Sequence, residues 1–275
     1  MLSKKYLFIK NCLTRASKID MVHKKLIVLA QMYVDIDKGF RFSYISDENG
    51  EIEFLETLRN HYKDAFVYFD VGAHIGTYTD MVVERASQYE GHLFEPAKAT
   101  FENCVARHGK NKSLKINNAA LSDTMGEVKY RLYPADPTRN GIAGVGAEAH
   151  FDTELDTVPC MTGDHYCKEH DINHIDLLKI DAEGYDLHVI KGFEQMLSQA
   201  NIDIIQFEYN VKHSETQSML GDYYAYLKEK GYIIGPLRPE GVQFQDFDFF
   251  QNDFKTGPNY IACRPEFRDL LSNFK

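Results

Sequence analysis

The chain has 275 residues, 44% of them hydrophobic and 26% charged, enough to bury a full core and too apolar for the disordered class. Thirty-one basic against forty-one acidic side chains leave a formal net charge of -10, which argues against broad attraction to a phosphate backbone, so no nucleic-acid partner is expected. Five cysteines, at 12, 104, 160, 167 and 263, are odd in number and irregularly spaced; they exclude a readable disulfide framework or paired zinc motif and fit a reducing cytoplasm.

The chain opens with a basic segment. Residues 1–25 hold seven basic side chains against Asp20, a balance of +6 that leaves about -16 for the remainder. Leu2, Tyr6, Ile9 and Leu13 recur at spacings of three and four, which predicts an amphipathic helix. Such a helix serves either as a packing or dimer element or as a contact with an anionic membrane surface. No apolar stretch approaches the ~20 residues of a membrane-spanning helix. Residues 1–60 read as a helical N-terminal extension, and residues 61–275 as the main domain.

From Phe66 onward, apolar runs alternate with helix-like segments. The runs AFVYFDV, GHLFE, LKINNA, IDLLKID, DIIQFEY, YIIGPL and NYIAC predict seven strands in an α/β fold with a mostly parallel sheet covered on both faces. In KINNAALSDTMGEVKYRLY, the turn residues Asp123 to Gly126 predict a small β-hairpin interrupting the winding. YIIGPL and NYIAC have no helix between them, so they are expected to pair antiparallel.

The first strand leads into VYFDVGAHIGTYT, an apolar run, an acid and two glycines before a helix. In parallel α/β sheets the first strand-to-helix turn is a usual ligand site. A dinucleotide fingerprint requires G-x-G-x-x-G, whereas His74 here occupies the middle glycine position. Asp70 would repel a phosphate. These features favour S-adenosyl-L-methionine over a nicotinamide cofactor, and Glu95, 19 residues beyond Gly76, is spaced as an acceptor for the ribose hydroxyls.

DVGAHIGTYT, HLFEPAKATFENC, NNAALSDTMGEV, IDLLKIDAEGYDLHVIKG and IIQFEYN together resemble the FkbM-type methyltransferases over roughly Phe66 to Cys263. The resemblance implies a Rossmann-like class I methyltransferase with an antiparallel C-terminal strand, and methyl transfer to a hydroxyl of a sugar, glycan or secondary metabolite. It implies that Asp70, Gly72, Ala73, His74 and Gly76 surround the methionine moiety, with Thr77 and Tyr78 at the helix start. Glu95 would take the ribose, and Ala120, Leu121, Ser122 and Asp123 would border the adenine from the end of the third strand. The family more often has Asn where His74 stands, and its T-L-D before the fourth strand stands here as Thr162-Gly163-Asp164.

IDLLKID ends in Asp181 and IIQFEYN carries Glu208 and Asn210, so neighbouring parallel strands would place Asp181 and Glu208 side by side at the carboxyl edge. Either acid can act as general base toward a hydroxyl. Alternatively, Asp181, Glu208 and Asn210 offer oxygen ligands for Mg2+ or Mn2+. An acid at a strand end is also an ordinary helix cap, and Lys179 an ordinary ion-pair partner. His165, His170 and His174 read as an amphipathic surface helix. The segment from Pro134 to Asp156 predicts a loop over the acceptor pocket, with Arg139 and Asn140 available to a polar substrate, or a plain surface loop. FQDFDFF reads as core or as a sugar-stacking surface. A nicotinamide-dependent oxidoreductase and a catalytically idle binding protein stand as the alternative functions.

Overall fold

The computed structural model describes residues 10, 12–14, 20–37, 46–63, 65–143, 153–248 and 259–274. The chain divides into two compact units, Met1–Ser43 and Tyr44–Lys275. In the first, Lys10 and residues 12–14 are helical, and helix α1 spans Asp20–Asp37. Leu2, Tyr6 and Ile9, which define the expected basic helix, lie outside the described residues. Among those described, no helix is long and apolar enough to cross a membrane.

The second unit begins with α2 (Ser46–Asn49) and α3 (Glu51–His61). Phe54, Leu55 and Leu58 of α3 are buried in the same core as strand residues Phe66 and Tyr68. The boundary drawn at 60/61 from sequence therefore falls inside this unit.

Strands β1 (Phe66–Val71), β2 (Tyr89–Phe94) and β3 (Leu114–Asn117) alternate with helices α4 (Thr77–Arg85) and α5 (Lys98–His108). After an inserted layer come β8 (Ile175–Ile180), β9 (Ile202–Glu208), helix α9 (Leu220–Glu229), β10 (Ile233–Arg238), β11 (Gly241–Val242) and β12 (Asn259–Cys263). The sheet order is β11-β10-β12-β9-β8-β1-β2-β3. β3, β2, β1, β8 and β9 run parallel, and β12 is antiparallel to both β9 and β10. This is the Rossmann-like arrangement expected, with the two-residue β11 as an eighth strand. The order reverses at β1, so the turns after β1 and β8 open side by side at the switch point.

Alternation along the strands divides the core between two faces. Phe69, Val71, Leu178, Ile180, Ile205 and Phe207 pack on one side, while Tyr68, Leu177 and Ile204 pack on the other. At about 25 cal/mol per Å2 of apolar surface, this two-sided burial is the main source of stability.

Four sequence expectations are corrected. The strand-like pieces flanking Asp123–Gly126 are β4 (Ala120–Leu121) and β5 (Gly126–Leu132), which do not form a hairpin, because β7 (Glu154–Met161) lies between them. They belong, with β6 (Gly141–Ile142), to a second sheet of order β4-β7-β5-β6. Ala120 and Leu121 are thus not the end of the third strand. The loop from Pro134 to Asp156 contains β6 and the start of β7; residues 144–152 lie outside the description. His165, on α6 (Gly163–Glu169), and His174, beside Asp176 and Asp203, do not share one helix face.

The departure at Gly163 has a packing reason: a Cβ there would sit 2.2 Å from the Phe193 ring. Thr162 still caps α6 by accepting from the His165 N–H at 3.2 Å, and Asp164 accepts from the Gln195 and Met196 N–H groups. After β8 come α7 (Asp186–Lys191) and α8 (Glu194–Ser198), separated at Gly192, where a Cβ would meet the Ser122 carbonyl at 2.2 Å. Leu187, Ile190 and Leu197 nevertheless all reach the core.

Candidate active site

The turn after β1 is fastened by its backbone. Gly72 and Ala73 both donate to the Phe94 carbonyl at 3.0 Å, and the Gly76 N–H donates to Ala73 at 2.8 Å. Gly72 has φ 79°, and a Cβ there would lie 1.9 Å from the Asp181 carbonyl, so only glycine lets this turn touch the turn after β8. Asp181 in return donates its N–H to Val71 at 2.9 Å. Gly76 begins α4 with no side-chain cap, which leaves N–H groups of its first turn without a side-chain partner.

Glu95, at the end of β2, is buried and doubly held. One carboxylate oxygen accepts from the His74 N–H at 3.0 Å and the other from the Ala97 N–H at 2.8 Å. Burial lifts its pKa to about 7 despite those two donors. Each oxygen retains a lone pair suited to a ligand hydroxyl. Asn118 braces the segment by donating to the Glu95 and Pro96 carbonyls, both at 2.9 Å.

Other residues near the turn point elsewhere. Asp70 is fully buried: it accepts from the Thr79 hydroxyl at 3.0 Å and faces Lys179 Nζ at 3.3 Å, while its Oδ1 has no hydrogen-bond partner. Tyr78 is turned into the core, where its hydroxyl donates to Gln206 at 2.7 Å; Gln206 in turn donates to Glu51 of α3 at 2.7 Å. Thr77 is exposed, and Ala73 is buried. His74 is half-buried in the left-handed region at φ 51°, and desolvation lowers its pKa. Ala120, Leu121 and Ser122 are buried in and beside β4, with the Ser122 hydroxyl donating to Asp123 at 3.1 Å. The other Asp123 oxygen lies 2.9 Å from His188 Nδ1.

The carboxyl edge of β8 and β9 gathers acids. Ile180 pairs with Phe207, so the next residues, Asp181 and Glu208, follow in register. The Asp181 side chain is 41% exposed and lies 3.5 Å from Lys179 Nζ. Burial first, then the charges of Asp181, Glu183 and Asp186, raise the Glu208 pKa far above the usual carboxylate range, against a side-chain hydrogen bond from Asn210. Asn210 Oδ1 caps the following turn by accepting from the Lys212 N–H at 2.9 Å. Buried Asp186 and His213 lie 3.6 Å apart beneath this edge.

Lys179, read from sequence as an ion-pair partner, is one, Glu183 is singled out by the family resemblance alone, and Glu51 escaped the sequence reading. Glu183, in the left-handed region at φ 53°, pairs with Lys212 at 2.5 Å, and burial with the neighbouring Asp181 lifts its pKa to about 7. Lys179 is buried between Asp70 and Asp181, and those charges override desolvation to raise its pKa. Its signal was available, as one cation in the otherwise apolar IDLLKID run between two acids. Glu51 gave none, because its link to Gln206 spans 155 residues. The arrangement can hold a hydroxylated ligand against the glycine turn and take a proton beside it.

A family profile described as the methyltransferase FkbM domain matches residues 70–234. A curated relative, the hexuronic acid methyltransferase AglP of Haloferax volcanii, is 24% identical over 179 residues, covering 65% of this chain and 71% of the relative. Among solved structures, the precorrin-6y C5,15-methyltransferase of Geobacter metallireducens aligns with a TM-score of 0.40 and 12% identity over 77% of this chain and 86% of that one. An rRNA methylase of Streptococcus thermophilus aligns with a TM-score of 0.40 and 10% identity over 77% and 93%.

Proposed function

This chain belongs to the FkbM methyltransferase family, and from that premise we propose that it moves a methyl group from S-adenosyl-L-methionine to a hydroxyl of a sugar, glycan or related polyol. One observation carries the reading: the glycine turn after β1 and the acid turn after β8 meet backbone to backbone at Gly72 and Asp181, which brings a cofactor cradle to an open carboxylate. The archaeal relative named for a hexuronic acid supports a sugar acceptor.

The cradle suits the cofactor. Gly72, Ala73, His74, Gly76 and the N–H groups of Thr77 and Tyr78 form its backbone wall, Glu95 offers two lone pairs to the ribose hydroxyls, and Ala120 to Asp123 border the adenine. When bound, the cofactor supplies an electrophilic methyl carbon: the acceptor oxygen forms the new O–C bond while the C–S bond breaks and its electron pair stays on sulfur. Asp181 takes the hydroxyl proton. Glu208, pushed toward its neutral form by burial and neighbouring charge, offers a hydrogen-bond donor to the acceptor. Such positioning supplies much of the rate enhancement in a displacement of this kind.

A divalent ion on Asp181, Glu208 and Asn210 fits less well. Asn210 already spends its side chain on Glu208 and the Lys212 N–H, and Glu208 favours its neutral form.

Calorimetric titration with S-adenosylmethionine, S-adenosylhomocysteine and NAD tests the reading. Binding of the two adenosyl compounds alone is expected, lost in Gly72→Val and unchanged by EDTA. Binding of NAD alone would overturn it.

A further inference from the structure

The loop joining β5 to β6, residues 133–140, reaches both turns of the site. Gly141 lies so close to Glu183 that a Cβ would stand 3.1 Å from the Glu183 Cβ, and the Arg139 carbonyl accepts from Lys212 Nζ at 3.1 Å. The charge of Asp136 acts on His74 in the cofactor turn. The loop has its own scaffold. Asn140 Oδ1 accepts from the Tyr133 N–H at 2.7 Å, Asp136 N–H donates to Tyr133, and Arg139 N–H donates to Asp136. Asn140 thus clasps the loop through its Oδ1.

The cations around this mouth are not equivalent. Lys179 is buried between Asp70 and Asp181. Lys212 is paired with Glu183, and Arg131 with Glu215 at 3.0 Å. His74 is pushed toward its neutral form. Arg139 differs: its guanidinium is exposed, stacks 4.6 Å above the Tyr133 ring, and makes no ion pair or hydrogen bond among the described residues. Stacking holds the planar fork without using its donors, which is how arginine is presented to a carboxylate.

We propose that Arg139, seated on Tyr133, is the acceptor's anion site, and that the acceptor is an acidic sugar whose carboxylate binds there while its reacting hydroxyl reaches Asp181. The assignment rests on the methyltransferase reading and narrows its substrate class. It also resolves a charge conflict. The open Asp181 carboxylate would repel a carboxylate at the reacting end, so an anionic acceptor requires a cation away from it.

The probes are methyl β-D-glucuronide and methyl β-D-glucoside, titrated into protein saturated with S-adenosylhomocysteine and followed by calorimetry and saturation-transfer NMR. The glucuronide is expected to bind at least about tenfold more tightly, a preference that added salt weakens. Arg139→Gln should erase the preference and Arg139→Lys retain part of it, both with unchanged affinity for S-adenosylhomocysteine. Equal binding of the two sugars, no binding of either, or an undiminished preference in Arg139→Gln would overturn the proposal while leaving methyl transfer intact. Failure of S-adenosylhomocysteine itself to bind would instead strike the methyltransferase reading.

Discussion

The turns after β1 and β8 are built alike and wired differently. Each follows a parallel strand, and each sets a titratable residue in the left-handed region, His74 at φ 51° and Glu183 at φ 53°, with glycines alongside. Backbone of this kind costs of order 1–3 kcal/mol per residue and persists where the surroundings enforce it. In the first turn the acid, Asp70, is sealed under the loop with Thr79 and Lys179. In the second, Asp181 keeps 41% of its side chain in the open. Similar local geometry thus yields two arrangements: a turn whose acid is sealed beneath it, and a turn whose carboxylate stands open. Lys179 joins them, with one charge shared between the sealed acid and the open one.

Removing that shared charge should break the comparison most severely. Lys179→Met leaves Asp70 buried without its cation, a change that costs about 3–5 kcal/mol. Thermal unfolding should show the loss, and methyl transfer should fall with it because both turns lose their anchor. Adding Asp70→Asn to Lys179→Met should restore much of the stability without restoring activity, since Asp181 remains unpaired. If the double variant is no more stable than the single, Lys179 does not act through Asp70.

A smaller effect separates the turns by pH. Glu95 and Glu183 both have folded pKa values raised to about 7 from the ordinary 4.5. Between those values the folded chain holds more protons than the unfolded one, so apo stability should fall as pH rises from about 4.5 to 7 and then level off. Affinity for S-adenosylhomocysteine should move oppositely, strengthening through about pH 7 as Glu95 becomes the charged acceptor of the ribose hydroxyls. Melting curves from pH 5 to 8, with and without the ligand, read both slopes. Glu95→Gln should flatten the affinity slope and leave the Glu183 contribution to stability; a persistent affinity slope would remove Glu95 from the ribose site.

The parallel strands and both turns were legible because apolar runs, glycine spacing and strand-end acids are local patterns. The adjacency of Asp181 and Glu208 was legible too, since parallel pairing of two runs fixes it. The second sheet was not: β4 and β5 are joined by an evident turn, yet their partner β7 begins only at Glu154, and no local signal brings it between them. Side-chain direction was equally hidden. Tyr78 stands at the helix start as expected, but its ring enters the core toward Gln206, and Asn210, read as a ligand, turns its Oδ1 to the Lys212 N–H.

The finest distinction lies within the open turn, between its two acids. Burial, then the charges of Asp181, Glu183 and Asp186, push Glu208 toward its neutral form, whose shape and hydrogen-bond donor Glu208→Gln preserves. Its kcat should change less than about tenfold, whereas Asp181→Asn removes the base and should cost about 100- to 10,000-fold. Single-turnover methyl transfer at pH 7, measured with both variants at matched cofactor saturation, compares them directly. An equal loss in the two would mean that Glu208 works as a carboxylate, and a larger loss in Glu208→Gln would exchange their roles, because only an ionised acid can take the hydroxyl proton.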